Sequence, residues 1–261
     1  MKKIASLILV ILFVPLLLQA GHKWVVTYAK GVPYTDQGYV VAGEWAELAH
    51  KIEMRWMKGY DIISIAQGYT TWAAVYAKNT GMKNQNFVSR RNWYDFRDAM
   101  DEKFKNGFGL IDLAYGDGRY VGIFAKGANI KVPKYFVTGY FDQLRKQIKK
   151  EWAKGYRIDF IHFYEGRWIA FLEKQDKAVI QALDGTRTLN SFGHVIAQRW
   201  KQGYYLTDLN YGFDQWTGTF SKTKEYSVQA YDIGSHWGNL RSMIKKRWEE
   251  GYQIIQITEG W

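Results

Sequence analysis

The chain has 261 residues, a formal charge of +11 at neutral pH, 17% aromatic residues and no cysteine. The absence of cysteine excludes thiol catalysis, disulfide staples and cysteine-based metal sites, so a hydrophobic core rich in aromatic rings has to hold the fold unaided. The positive charge allows anionic polymers or membrane surfaces as partners without selecting one.

Residues 1–20 read as a signal peptide. Lys2 and Lys3 precede an apolar run from Ile4 to Leu18, and Leu18-Gln19-Ala20 forms a small-residue cleavage site. The run is short for a membrane span of about 20 residues. The expected product is therefore exported (periplasmic, cell-surface or secreted) with no membrane span after cleavage; an uncleaved anchor is the alternative. Losing Lys2 and Lys3 lowers the charge from +11 to +9. Nucleic acid is not an expected partner outside the cytoplasm. Residues 21–261 are expected to form one domain.

Beyond the leader, an aromatic residue followed three positions later by glycine and a second aromatic occurs five times at intervals of 48. The copies are Trp56 to Tyr60, Phe104 to Phe108, Trp152 to Tyr156, Trp200 to Tyr204 and Trp248 to Tyr252. A fixed period makes each copy one supersecondary unit stacked on its neighbours. Each unit opens with a helix: Trp45, Leu48, Ile52 and Trp56 recur at spacings of three and four, the stripe of a helix with one buried face. The glycine then stops the helix in a left-handed cap, and the next aromatic packs back over the last turn.

A first strand follows (Tyr60–Ile65 in the first copy), then a Gly-containing turn and a second strand such as Trp72–Lys78. A third strand carries Gln37, Gln85, Gln181 or Gln229; the second copy has Pro133 there. Strands two and three of one unit stand alone at the N-terminus, and the C-terminus ends after a helix and strand one. Residues 22–261 span five periods with no remainder. The fold class is thus α+β: a closed five-fold, αβ-propeller-like repeat whose units run helix-strand-strand-strand. Its last unit is expected to be completed by the N-terminal strands, which removes free sheet edges.

The linked motifs W-x-x-G-Y, W-x-x-x-x-x-K and Q-x-Y resemble the repeat found C-terminal to the kinase in plant casein-kinase-I-like proteins and in some bacterial proteins. That repeat is a domain of unknown function, so the resemblance implies no catalytic residues. The cyclic order of one helix and three strands is similar, in architecture only, to the pentein αβ-propeller. That fold hosts guanidino-modifying enzymes and a ribosome-binding initiation factor; its cysteine nucleophile has no counterpart here.

Lys30, Lys78, Lys126, Lys174 and Lys222 form one column at strand ends. They are either a positive collar for an anion or side chains spread over aromatic neighbours with their charges in water. The glutamine column is expected to bond neighbouring backbone. Two first-strand columns vary between copies: Ser64, Asp112, Phe160, Asp208 and Gln256, then Ala66, Ala114, His162, Asn210 and Thr258. If strand one is innermost they line a central channel, where Asp112, Asp208 and His162 are candidate acid–base groups or a solvated pore wall. Tyr69, Phe213 and Trp261 occupy one turn position, filled by Asp117 and Glu165 elsewhere, and are candidate binding residues. No cofactor or metal-ligand set is read from the sequence, and oligomeric state is left open.

The function these features favour is an exported, non-enzymatic binding scaffold recognising a protein or an anionic cell-envelope polymer. A hydrolase using the acidic residues of the inner strands, and a structural, self-assembling protein, are the alternatives.

Overall fold

The computed structural model describes residues 21–127, 129–175, 180–222 and 226–261; the expected signal peptide lies outside them. Five helices and fifteen strands form five antiparallel sheets of three strands each. The first sheet has the order β2(Thr35–Ala42), β4(Thr71–Lys78), β3(Asp61–Gly68), with α1(Trp45–Trp56) between β2 and β3 in sequence. The second holds β5(Lys83–Arg90), β7(Arg119–Lys126) and β6(Gly109–Gly116), with α2(Trp93–Lys105). The third holds β8(Lys134–Thr138), β10(Arg167–Lys174) and β9(Tyr156–Tyr164), with α3(Phe141–Ala153). In the fourth are β11(Gln181–Thr186), β13(Gln215–Ser221) and β12(Tyr205–Gly212), with α4(Leu189–Lys201). The fifth holds β14(Val228–Gly234), β1(Lys23–Lys30) and β15(Gln253–Gly260), with α5(Trp237–Glu249).

This order corrects the expected unit. The third strand of each sequence copy crosses to the next sheet, so the spatial unit is strand, helix, strand, strand. The last sheet consequently takes only β1 from the N-terminus, inserted between β14 and β15 with Trp24 opposite both Gly234 and Glu259. β2 belongs to the first sheet, where Val40 faces Ala74.

Each helix lays its apolar stripe on its own sheet, as Trp45, Leu48 and Ile52 do. The glycines that follow all have positive φ, from 73° at Gly59 to 81° at Gly251. The amide of Gly59 donates to Trp56 O and that of Tyr60 to Arg55 O. That pair of bonds satisfies carbonyls left open at the helix end.

Neighbouring sheets are joined by a repeated side-chain clamp. Gln85 Oε1 accepts from Trp56 Nε1 and from Ile62 N, both 2.6 Å, while its Nε2 donates to Ile62 O at 2.8 Å. Gln181 does the same with Trp152 and Ile158, Gln229 with Trp200 and Leu206, and Gln37 with Trp248 and Ile254. The backbone groups served belong to buried residues, where an unpaired N–H or C=O is costly. Between the second and third sheets the clamp is missing: Phe104 replaces the tryptophan and Pro133 the glutamine. Donor and acceptor are lost in the same copy, as a shared hydrogen bond requires.

Gly203→Val is expected to destabilise by about 1–3 kcal/mol in urea unfolding. A Cβ at Gly203 meets nothing within 4 Å, so the effect comes from the backbone alone. Phe104→Trp combined with Pro133→Gln, which installs the missing clamp, is expected to raise the thermal midpoint relative to either single change.

Candidate functional site

Every sheet contains a register shift in its first strand, for example between Ile62 and Ser64 or between Leu110 and Asp112. The extra residue of such a bulge releases a backbone group from the ladder and re-aims the side chains that follow. The column predicted from sequence sits just after it and serves the neighbouring sheet. Asp112 Oδ2 accepts from Ser64 Oγ at 2.9 Å and Ile65 N at 2.8 Å. Asp208 Oδ2 accepts from Ile161 N at 2.8 Å, Gln256 Oε1 from Leu209 N at 2.8 Å, and Ser64 Oγ from Ile257 N at 3.1 Å. The fifth member, Phe160, has no acceptor, and Leu113 N turns to Oδ1 of its own neighbour Asp112 at 2.8 Å.

The seam between β6 and β9 therefore lacks both devices that join the other sheets. The backbones of the other four neighbouring pairs of first strands run within 8 Å of one another, whereas β6 and β9 barely do so. The gap holds side chains of β9. His162 stacks on Tyr164 with ring centres 5.4 Å apart and meets the edge of Phe160 at 5.4 Å. Tyr164 donates to Leu113 O at 2.9 Å and lies 3.0 Å from His162 Nδ1. With the phenol proton on Leu113, Nδ1 carries a proton and donates to Tyr164. His162 Nε2 lies 3.4 Å from Asp112 Oδ1, within ion-pair range but without hydrogen-bond geometry.

The structure thus brings Asp112, His162 and Asp208 together in a buried layer. Each carboxylate already accepts three donors: Ser64, Ile65 and Leu113 on Asp112, and Ile161, Asn210 and Gln256 on Asp208. Burial pushes the Asp208 carboxyl up to about 6, against the positive field of His162 and the donated hydrogen bonds. Burial likewise holds the Tyr164 phenol well above its usual range, reinforced by the charges of Asp112 and Asp208.

Above this layer opens a cavity of about 1130 Å³ at the end where strands one and two are joined by turns. Its depth is formed by Ala66, His162, Tyr164, Asn210 and Thr258, and its rim includes Tyr115, Phe213 and Trp261. Asp112 and Asp208 do not line it. Phe213 and Trp261 are more than half exposed, as is Tyr69 beside the rim. His22 lies between Tyr69, at 5.1 Å, and Trp261, at 3.5 Å between ring centres.

The five lysines are at the opposite end of the second strands, roughly 23 Å away at about 3.3 Å per residue. Each ammonium lies over the aromatic that follows a helix-ending glycine: Lys30 over Tyr252, Lys78 over Tyr60, Lys126 over Phe108, Lys174 over Tyr156 and Lys222 over Tyr204, at 4.5–5.0 Å from the ring centre. The lysine and turn-aromatic candidates are therefore separate features.

No family model, curated protein or solved structure matches the chain. Among the described residues no helix is long and apolar enough to cross a membrane.

Sequence reading missed Tyr164 as a site residue. The signal was available: its column otherwise reads Gly68, Gly116, Gly212 and Gly260, where an added Cβ would come within 2.1–2.5 Å of a neighbouring side chain. One tyrosine among four such glycines marks the third copy as different.

A carboxyl whose folded pKa lies above its unfolded value binds its proton more tightly in the native state. Its stabilising contribution is complete below the unfolded value of about 4 and is lost as pH rises through about 6. Wild-type protein is thus expected to lose up to roughly 3 kcal/mol relative to Asp208→Asn between pH 4 and pH 7. Urea unfolding of both proteins across that range checks this; a pH-independent difference would contradict the buried, proton-binding carboxyl.

Proposed function

We propose that the five sheets close into an αβ-propeller-like ring and that the exported protein is a non-enzymatic binding scaffold, taking its ligand in the cavity at the turn end. Closure is supported by the inter-sheet bonds, which pass from sheet to sheet and return from the fifth to the first through Ile257 to Ser64 and Gln37 to Ile254. It is supported as well by β1, which gives the C-terminal sheet its middle strand.

The observation carrying the functional reading is that the carboxylates of the first-strand column, Asp112 and Asp208, do not line the cavity, while of the two that do, Glu259 is in contact with His22 and Asp214 with Tyr211. Acid–base hydrolysis needs a carboxyl within reach of the substrate. Asp112 and Asp208 lie outside the cavity wall, each bonded to backbone of a neighbouring strand and to groups of its own strand. The wall itself offers aromatic rings, amides and hydroxyls beside a few charged side chains, the makings of a recognition surface. The lysine column supports construction, since each ammonium covers a ring at a helix end.

The test is capture of cell-envelope components on immobilised residues 21–261, beside Trp261→Ala and Lys78→Gln proteins. The ligand is expected to be retained by wild type and Lys78→Gln and lost by Trp261→Ala. Failure to retain anything at low salt, or turnover of an envelope substrate that Asp208→Asn abolishes, would overturn the reading.

A further inference from the structure

The turn between strands one and two is where the copies differ most in character. In the second and third sheets it is Asp117-Gly118 and Glu165-Gly166, with φ of 50°, 63°, 48° and 74°. These are pairs of positive φ, the two-residue hairpin turn that favours a small polar residue followed by glycine. The acidic side chains also accept hydrogen bonds from the start of the preceding sheet's second strand: Trp72 Nε1 to Asp117 at 2.6 Å, and Tyr120 OH to Glu165 at 2.7 Å.

The fourth sheet breaks both rules. Phe213 and Asp214 adopt φ of 48° and 56°, so a bulky aromatic occupies the left-handed region. The corresponding donor, Trp168 Nε1, is fully buried and has no hydrogen-bond partner among the described residues, because Phe213 brings no oxygen where Asp117 and Glu165 bring a carboxylate. Local strain and an unpaired buried N–H at one position are the signature of a residue kept for something other than stability. What Phe213 gains is a ring two-thirds exposed at the rim of the cavity that Trp261, in the equivalent position of the next sheet, also lines.

The rest of the cavity narrows the ligand. Lys23 and Arg187 stand against Asp214 and Glu259 in its lining, Glu259 is in contact with His22, and the imidazole of His162 is the other ionisable group of its depth. The remaining polar wall is neutral, with Gln67, Asn210 and Thr258 able to meet hydroxyls. At about 1130 Å³ the space exceeds the ~300–1,000 Å³ typical for drug-sized ligands, so it fits a short oligomer. A pyranose presents a C–H face to stack on exposed rings and hydroxyls for neutral amides.

Resting on the binding-scaffold reading, we infer that the cavity takes a neutral oligosaccharide, with sugar rings stacked on Phe213 and Trp261.

The experiment is calorimetric titration of residues 21–261 with cellotetraose, maltotetraose, chitotetraose and, as an anionic comparator, a hyaluronan tetrasaccharide. At least one neutral tetrasaccharide is expected to bind with an affinity unchanged by salt. Trp261→Ala and Phe213→Asp are each expected to weaken it at least about tenfold, since a ring contact contributes on that scale. Phe213→Asp restores the acidic turn of the second and third copies, so this variant is expected to melt no lower than wild type while binding less. That opposition separates a recognition role from a packing role. No binding by any neutral glycan, or binding that Phe213→Asp and Trp261→Ala leave intact, overturns the inference. If the envelope capture described above still retains a ligand, the scaffold reading survives that failure.

Discussion

The architecture depends on a glutamine side chain that stands in for a strand. Where two sheets meet, the first strand of one sheet reaches a residue whose N–H and C=O have no neighbour in the ladder. Gln85, Gln181, Gln229 or Gln37 supplies both missing partners from the outer strand of the next sheet, and its oxygen takes a tryptophan N–H from a helix end as well. One amide thereby positions two sheets and a helix. A net hydrogen bond contributes only about 1 kcal/mol, but leaving those buried groups unpaired costs more. The clamp therefore specifies how the sheets meet as much as it strengthens them.

The second device, a side chain reaching across from the bulged first strands, follows the same logic with more varied residues. Aspartate, glutamine and serine all serve, because the position requires only an acceptor. This accounts for a column that reads as divergent in sequence while being uniform in role. Only the third copy departs, and there Phe160, His162 and Tyr164 fill the space with stacked rings. The same seam lacks the glutamine clamp, so the asymmetry of the molecule is concentrated between β6 and β9.

Much of the construction was legible from periodicity. The helix stripes, the glycine caps and the inward columns fall where alternation and the 48-residue spacing put them, because backbone geometry fixes those periods. The crossing of the third strand to the next sheet was not legible, since a tandem repeat reads alike from any starting strand. Nor was the commitment of Asp112 and Asp208 to neighbouring backbone: that role depends on bulges, and a bulge has no residue signature. The lysine column reads as suggestive alone and becomes explained once the ring of Tyr60 or Tyr252 is seen beneath each charge. Conversely, Phe213 and Trp261 gained interest from the structure, which showed backbone strain and exposure at one rim.

Clamps of one design couple helix, strand and neighbouring sheet. A double-mutant cycle on Trp200 and Gln229 tests this coupling most directly, with Trp200→Phe and Gln229→Leu made singly and together and each protein unfolded in urea. Trp200 Nε1 and Gln229 Oε1 are 3.0 Å apart in a half-buried setting. The predicted result is a coupling energy of about 1 kcal/mol, with the tryptophan change nearly neutral once the glutamine is gone. Strictly additive effects would contradict the shared clamp.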